Sequence, residues 1–151
     1  MSENNVTART HPVVLYDGVC GLCNRAVRFV LRRDRDGLFR FAPLQGELAR
    51  AALARHGLAP PAADSSDPGT LYVVIDAGGR DERLLARSEA VLFILRNLPL
   101  YWVAAALFRI LPRFLRDALY DFVARRRYRW FGRYDTCPLP RPEDRARFLE
   151  S

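Results

Sequence analysis

Apolar and polar positions follow two different periods along the chain, and the switches between them mark its elements. Val13-Val14-Leu15-Tyr16 is a continuous apolar run with two β-branched residues, which predicts a short buried strand. Asp17-Gly18 follows with turn chemistry. From Leu22 to Arg33 the period becomes helical. Leu22, Ala26, Phe29 and Val30 share one face, and Arg25, Arg28, Arg32 and Arg35 form a basic stripe on another. Asp36-Gly37 ends this helix. Leu38 to Ala42 reads as a second strand stopped by Pro43, and Glu47 to His56 as a short alanine-rich helix closed by Gly57.

Beyond a loop at Ala59 to Gly69, Thr70 to Asp76 gives the strongest strand pattern of the chain. Ala77-Gly78-Gly79 is a turn, with Arg83 to Ala86 as a hairpin partner. Ser88 reads as the N-cap of a helix running to about Asn97, with Glu89 favoured in its first turn. Two further helices are predicted over Leu100 to Leu111 and Arg113 to Trp130, separated by Pro112. In the second, Leu115, Ala118, Leu119, Phe122 and Val123 form the apolar face, and Arg141 to Leu149 makes one or two last helical turns. The order β-α-β-α-β-β-α predicts an α/β protein with a thioredoxin-like fold and a helical C-terminal extension.

At 151 residues the chain fits one domain. The organisation expected is a flexible tail at 1–10, a thioredoxin-like core at 11–97, and a helical extension at 98–151 packed on the same domain. Half of the residues are apolar, enough for a real core, and 27% are charged, which excludes general disorder. The net charge is +7, and every one of the 24 basic residues is arginine. From Arg113 to Tyr134, seven arginines face only Asp117 and Asp121. Met1 to His11 has no apolar stretch of the kind that heads a secretory signal. The longest apolar run, Leu98 to Leu111, is interrupted by Pro99 and Arg109 and falls short of a membrane span. With three cysteines, not all can pair within the chain, so the expected setting is a reducing cytoplasm.

The candidate chemistry lies at Cys20-Gly21-Leu22-Cys23, between the first strand and the first helix. Three residues apart on a helix, the two sulfurs share a face. At the helix start, unpaired backbone N–H groups and the dipole favour a thiolate on Cys20, and the thiolate is the nucleophile. Cys23, one turn further in, is the expected resolving thiol and the less exposed of the two. Gly21 and Leu22 bring no charge, and Arg25 and Arg28 are expected to point to solvent. Stabilisation of the thiolate would then rest on the helix terminus alone. The competing readings are a zinc half-site, for which Cys137, His11 and His56 are the scattered remaining ligands, and inert buried thiols. Both histidines read as solvated surface residues. Asp17, three residues before Cys20, has two readings. It relays the proton released in exchange, or it holds the strand–helix corner as a turn residue.

Asp17-Gly18-Val19-Cys20-Gly21-Leu22-Cys23-Asn24, directly after a strand ending in Tyr16, resembles the signature of the DCC family, predicted thiol–disulfide oxidoreductases named for that Asp and two Cys. Phe41-Ala42-Pro43-Leu44-Gln45-Gly46, Arg87-Ser88-Glu89-Ala90 and Pro112-Arg113-Phe114-Leu115-Arg116-Asp117 look like further family blocks. So do Arg126-Arg127-Tyr128-Arg129-Trp130-Phe131-Gly132 and Asp135-Thr136-Cys137-Pro138-Leu139-Pro140. The resemblance spans about Val13 to Pro140. It implies dithiol–disulfide exchange through Cys20 and Cys23, with Asp17 as the third site residue. No cofactor is needed, and the partners are an unidentified thiol or disulfide substrate and a reductant.

Arg125-Arg126-Arg127-Tyr128-Arg129-Trp130-Phe131 supports the rival reading, an arginine-rich module for nucleic acid or an anionic membrane surface. No nucleic-acid motif accompanies the cluster, so its plainer role is a cation-capped helix end with packed aromatics. Peripheral membrane contact stays open to it. Cys137 reads either as an inert lone cysteine or as a third redox thiol, and Pro68 is a weak counterpart of the proline that faces the cysteines in many thioredoxin-like proteins.

Overall fold

The computed structural model describes residues 11–59, 71–133 and 140–149. The N-terminal tail, the loop holding Pro68 and the segment holding Cys137 lie outside the described residues.

The run Val13–Tyr16 forms strand β1, and all four residues are buried. Successive side chains of a strand point to opposite faces, so β1 feeds two cores at once. Val13 and Leu15 join Ala49, Ala52 and Leu53 on one face, and Val14 and Tyr16 join Val27, Val30, Ala90 and Ile94 on the other. The first group belongs to helix α2 (Glu47–Arg55) and the second to helices α1 (Gly21–Arg33) and α3 (Ser88–Arg96). The sheet is completed by β2 (Arg40–Pro43), β3 (Tyr72–Ile75) and β4 (Arg83–Ala86), in the order β2-β1-β3-β4. β2 runs parallel to β1, and the other two pairings are antiparallel. This four-stranded mixed α/β sheet is compatible with a thioredoxin-like fold.

After Pro99 the chain forms α4 (Trp102–Ile110) and α5 (Arg113–Phe131). α4 packs on α3, and α5 packs on both α1 and α3. The last described element is a 3₁₀ segment, Pro142–Arg147. It leads Phe148 and Leu149 alongside Phe41, where the Leu149 N–H donates to the Phe41 carbonyl at 2.9 Å and covers the open edge of β2. Arg147 pairs with the buried Asp34 at the end of α1.

Several local expectations are corrected. β2 begins at Arg40, not Leu38, because the N–H groups of Leu38 and Phe39 donate to the Asp34 carboxylate and are lost to the ladder. Ser88 is not an N-cap. Arg87 takes the cap position with φ 57°, and the Ser88 hydroxyl donates instead to Asp117 on α5. On α1 the buried face holds Val27 and Val30, while Ala26 and Phe29 lie toward solvent. α5 departs furthest: Leu115, Leu119, Phe122 and Val123 are exposed, and its one buried residue is Arg127. His11 is half-buried and donates through Nδ1 to the Leu38 carbonyl at 3.0 Å, while His56 is an exposed surface residue as expected, 2.8 Å from Glu82.

Candidate functional site

Strand β1 delivers Asp17 to the corner where the chain turns into α1, and Cys20 forms the N-cap of that helix. The corner is held by short polar links. The Cys20 N–H donates to the Asp17 carbonyl at 3.2 Å, and the Val19 N–H to Asp17 Oδ1 at 3.2 Å, an Asx turn. Asn24 Nδ2 donates to the carbonyls of Gly18 and Cys20 at 2.8 and 2.9 Å. Gln45, just beyond β2, clamps the same loop. Its Oε1 accepts from Gly18 N–H at 3.2 Å, and its Nε2 donates to Asp17 Oδ1 at 2.9 Å.

The second Asp17 oxygen faces α5. Arg127 Nη2 donates to Oδ2 at 3.0 Å, and the Tyr128 hydroxyl donates to the same oxygen. Both members of the Asp17–Arg127 pair are almost completely removed from water. Arg127 Nη1 points the other way and donates to Cys23 Sγ at 3.5 Å. One guanidinium therefore joins the carboxylate to the thiol pair. Burial opposes its charge, but Cys23, Cys20 and Asp17 outweigh burial and hold Arg127 above its ordinary pKa. Burial and the bond to Asp17 push the Tyr128 hydroxyl up to about 12.

Cys20 and Cys23 are free thiols. Cys20 Sγ accepts the Cys23 N–H at 3.4 Å. The Cys20 thiol is lowered from 9.0 to about 7, chiefly by the hydrogen bond from the Cys23 side chain. Burial opposes that shift, and the Cys23 backbone N–H and Arg127 add to it. Cys23 moves the opposite way: donating to Cys20, burial and the nearby Cys20 charge all push it up. With Cys20 lowered to about 7 and Cys23 raised, the first proton lost by the pair comes from Cys20, and Cys23 keeps its proton and hydrogen-bonds the Cys20 sulfur. A cation does reach the pair, contrary to the expectation from the spacer. It comes from α5, while Arg25 stacks on the Phe131 ring at 5.6 Å.

Counted over whole residues, solvent exposure is the reverse of the sequence expectation, although Cys23 is the more densely surrounded by protein. Cys20 is fully buried, and Cys23 is only partly so. The end of α5 causes this. Gly21 N–H donates to the Gly132 carbonyl at 3.1 Å, and Cys20 bridges to Arg133. A Cβ on residue 21 would collide with the Phe131 carbonyl, so glycine at that position permits the close approach. Cys23 instead opens into a cavity of about 340 Å³, lined by Leu22, Ala26, Phe108, Leu119, Val123 and other mainly apolar side chains. Arg127 also lines it, and its Nε is buried with no hydrogen-bond partner among the described residues.

The structure therefore brings all three sequence-predicted site residues together. Arg127, Tyr128, Gln45 and Asn24 were not singled out. Each sits inside a block quoted above, but nothing in those blocks distinguishes a buried arginine from its exposed neighbours. Among the described residues, no group of three His, Cys, Asp or Glu is placed to hold a metal ion. No described helix is long and apolar enough to cross a membrane.

Comparison with known proteins agrees with the geometry. The family described as DCC1-like thiol-disulfide oxidoreductase matches residues 14–133, a stretch that includes Asp17, both cysteines and Arg127. The uncharacterized protein YuxK of Bacillus subtilis is 39% identical over 137 residues, covering 91% of this chain and 93% of its own. A chloroplastic DCC family protein of Arabidopsis thaliana is 40% identical over 129 residues, covering 85% of this chain and 69% of its own. No solved structure matches the chain.

Two outcomes follow from the buried network. Thiolate absorbance of the reduced protein should rise through a midpoint near pH 7, below the ordinary 9.0, because Cys20 is the acidic thiol. Cys20→Ser should remove that step, and Arg127→Met should move it upward by taking away a cation. A first step at the ordinary thiol value would contradict the assignment. Arg127→Ala should lower stability by about 3–5 kcal/mol in urea unfolding, since it strands a buried carboxylate. A loss below about 1 kcal/mol would mean that the pair carries little of the corner.

Proposed function

We propose that this chain, which belongs to the DCC1-like thiol-disulfide oxidoreductase family, exchanges the Cys20–Cys23 dithiol with a substrate disulfide. The observation that carries the reading is Cys20 at the N-cap of α1 with its sulfur accepting the Cys23 N–H at 3.4 Å, an arrangement that lowers Cys20 and raises Cys23. Cys20 thiolate attacks one sulfur of the substrate. A bond forms between the two sulfurs, the substrate S–S bond breaks, and the departing thiolate takes up a proton. Cys23 then loses its proton and attacks Cys20. The second substrate thiolate leaves, the dithiol is oxidised to a disulfide, and the substrate is reduced to two thiols. The reverse sequence oxidises a substrate dithiol.

Arg127 gives the second step its direction. The Cys20 side chain is the main influence holding Cys23 protonated. Once Cys20 is tied up in the mixed disulfide, its charge is gone. The guanidinium 3.5 Å from Cys23 then favours the resolving thiolate. Asp17, committed to Arg127, Tyr128, Gln45 and Val19, acts in this reading by positioning Arg127 and the corner. Attack by Cys20 requires the Phe131–Arg133 segment above it to move aside. We take residues 11–97 as a thioredoxin-like core and 98–151 as a helical extension that closes over its site. A reducing compartment, the cytoplasm in the simplest case, keeps the pair in the dithiol form.

The test uses single-cysteine variants and an aromatic disulfide reporter. The reduced wild-type chain should release two thiols per reacting pair. Cys23→Ser should stop at a mixed disulfide that mass spectrometry locates on Cys20. Cys20→Ser should react about tenfold more slowly or worse. A trapped adduct on Cys23 in the wild-type chain, or undiminished exchange in Cys20→Ser, would overturn the assignment of roles.

A further inference from the structure

Helix α4 has an apolar face on which none of the described residues packs closely. Its sequence, Trp-Val-Ala-Ala-Ala-Leu-Phe-Arg-Ile, buries only Ala105. Trp102, Val103, Ala106, Leu107 and Ile110 are all exposed, and their offsets place them within a sector of roughly 140° around the helix. The exposure is large: 60% for Trp102, 64% for Leu107 and 78% for Ile110. Leu100, immediately before the helix, is 85% exposed and held at φ 70°, a backbone region side-chain-bearing residues rarely adopt. Phe114, just after it, is 76% exposed. Isolated exposed apolar residues are common on soluble proteins, but a continuous row of this kind marks a contact surface.

The charge around the row identifies what it contacts. From Asn97 to Arg116 there is no acidic residue, against Arg109, Arg113 and Arg116. Trp102, Ala106 and Ile110 form one wall of an open groove of about 650 Å³, along which lie Arg83, Arg96, Arg109 and Arg116. The groove's single carboxylate, Glu89, is already paired with Arg113 at 3.3 Å. None of the four arginines in the groove forms an ion pair among the described residues. An apolar ridge beside unpaired guanidinium groups is complementary to an acyl region beneath anionic headgroups. A tryptophan at the start of the helix suits the headgroup boundary. A second copy of the chain would instead set the same cations against one another. Nine residues cannot span a bilayer, so the helix would lie in its surface plane.

We propose that the α4 face docks this protein peripherally on anionic phospholipid bilayers, with Trp102, Leu107 and Ile110 inserted and the groove arginines on phosphate. The cluster at Arg125–Arg129 is interrupted by Arg127, which is buried against Asp17, while Arg125 and Arg129 stay exposed. Docking has a consequence for the redox site. The other side of α4 carries Phe108 into the lining of the cavity that reaches Cys23. That cavity would lie about one helix diameter, ~10 Å, from the lipid surface.

Co-sedimentation of the full chain with vesicles provides the test. One set is phosphatidylcholine alone, and the other contains phosphatidylglycerol as well. The chain should sediment with the anionic vesicles and stay in solution with the neutral ones, and added salt should weaken binding. Leu107→Glu and Arg109→Glu, both at exposed positions, should each reduce the bound fraction about tenfold while thiol exchange with a soluble disulfide is unchanged. In a Trp130→Phe background, Trp102 fluorescence should shift to the blue on binding. Failure to bind anionic vesicles would overturn the proposal. So would a concentration-dependent dimer abolished by Leu107→Glu, which would assign the face to a second copy. Neither result would touch the exchange chemistry, which the single-cysteine variants test separately.

Discussion

The ion pair between Asp17 and Arg127 is the constraint on which the rest of the site depends. Each charge loses its water, at a cost of several kcal/mol per ion. The arrangement is tolerable because the carboxylate is otherwise well supplied with donors, from Tyr128, Gln45 and the Val19 N–H. α5 has further ties, from the Ser88 hydroxyl to Asp117 and from the Leu71 N–H to the Tyr120 hydroxyl at 2.8 Å, but neither pairs charges. Its apolar side chains are substantially exposed, and Arg127 is the one residue it buries. Fixing Arg127 to the end of β1 therefore fixes where the helix crosses α1. The contact of Gly132 with Gly21, the burial of Cys20 and the cavity at Cys23 all follow from that placement.

The same contact gives the two sulfurs different characters. Both stand at the beginning of one helix, but only Cys20 accepts hydrogen bonds from the other cysteine. Cys23 faces the guanidinium and the apolar cavity. In the exchange proposed above, this single cation serves each thiolate in turn, first Cys20 and then, once Cys20 has reacted, Cys23. Neither Gly21 nor Leu22 of the spacer carries a charge, so the cation beside the two sulfurs comes from a separate helix.

Much of the scaffold was legible because local chemistry sets it. The four-residue apolar run of β1, the hairpin at Arg83–Ala86 and the proline before α5 all appear as the sequence pattern implies. The cysteine pair and Asp17 were legible for the same reason: their positions follow from one strand–turn–helix corner. What was not legible depends on contacts across about 110 residues of chain. Arg127 stands in a run with Arg125, Arg126 and Arg129, and composition alone makes all four look solvated. Only the crossing of α5 over α1 turns one of them inward. The burial of Cys20 was hidden likewise, since its cover comes from Phe131–Arg133 and not from its own helix. The amphipathic pattern of α5 misled in the other direction, because a helix anchored by a polar pair need not bury its apolar side.

The central claim is that Arg127, held by Asp17, tunes the Cys20–Cys23 couple. Its reduction potential, measured by equilibration in thiol–disulfide buffers with acid trapping and alkylation, tests this most directly. Cys20 near 7 matches the thioredoxin-type thiol, not the far more acidic thiol of a strong oxidant. The potential should fall in the more negative half of the range from about −120 mV to about −270 mV. Replacing both charges, Asp17→Asn with Arg127→Met, should make it more negative still. Arg127 affects the Cys20 thiolate more than Asp17 does, so losing both destabilises the reduced form. An unchanged potential in that double variant, or a wild-type value close to about −120 mV, would contradict the account.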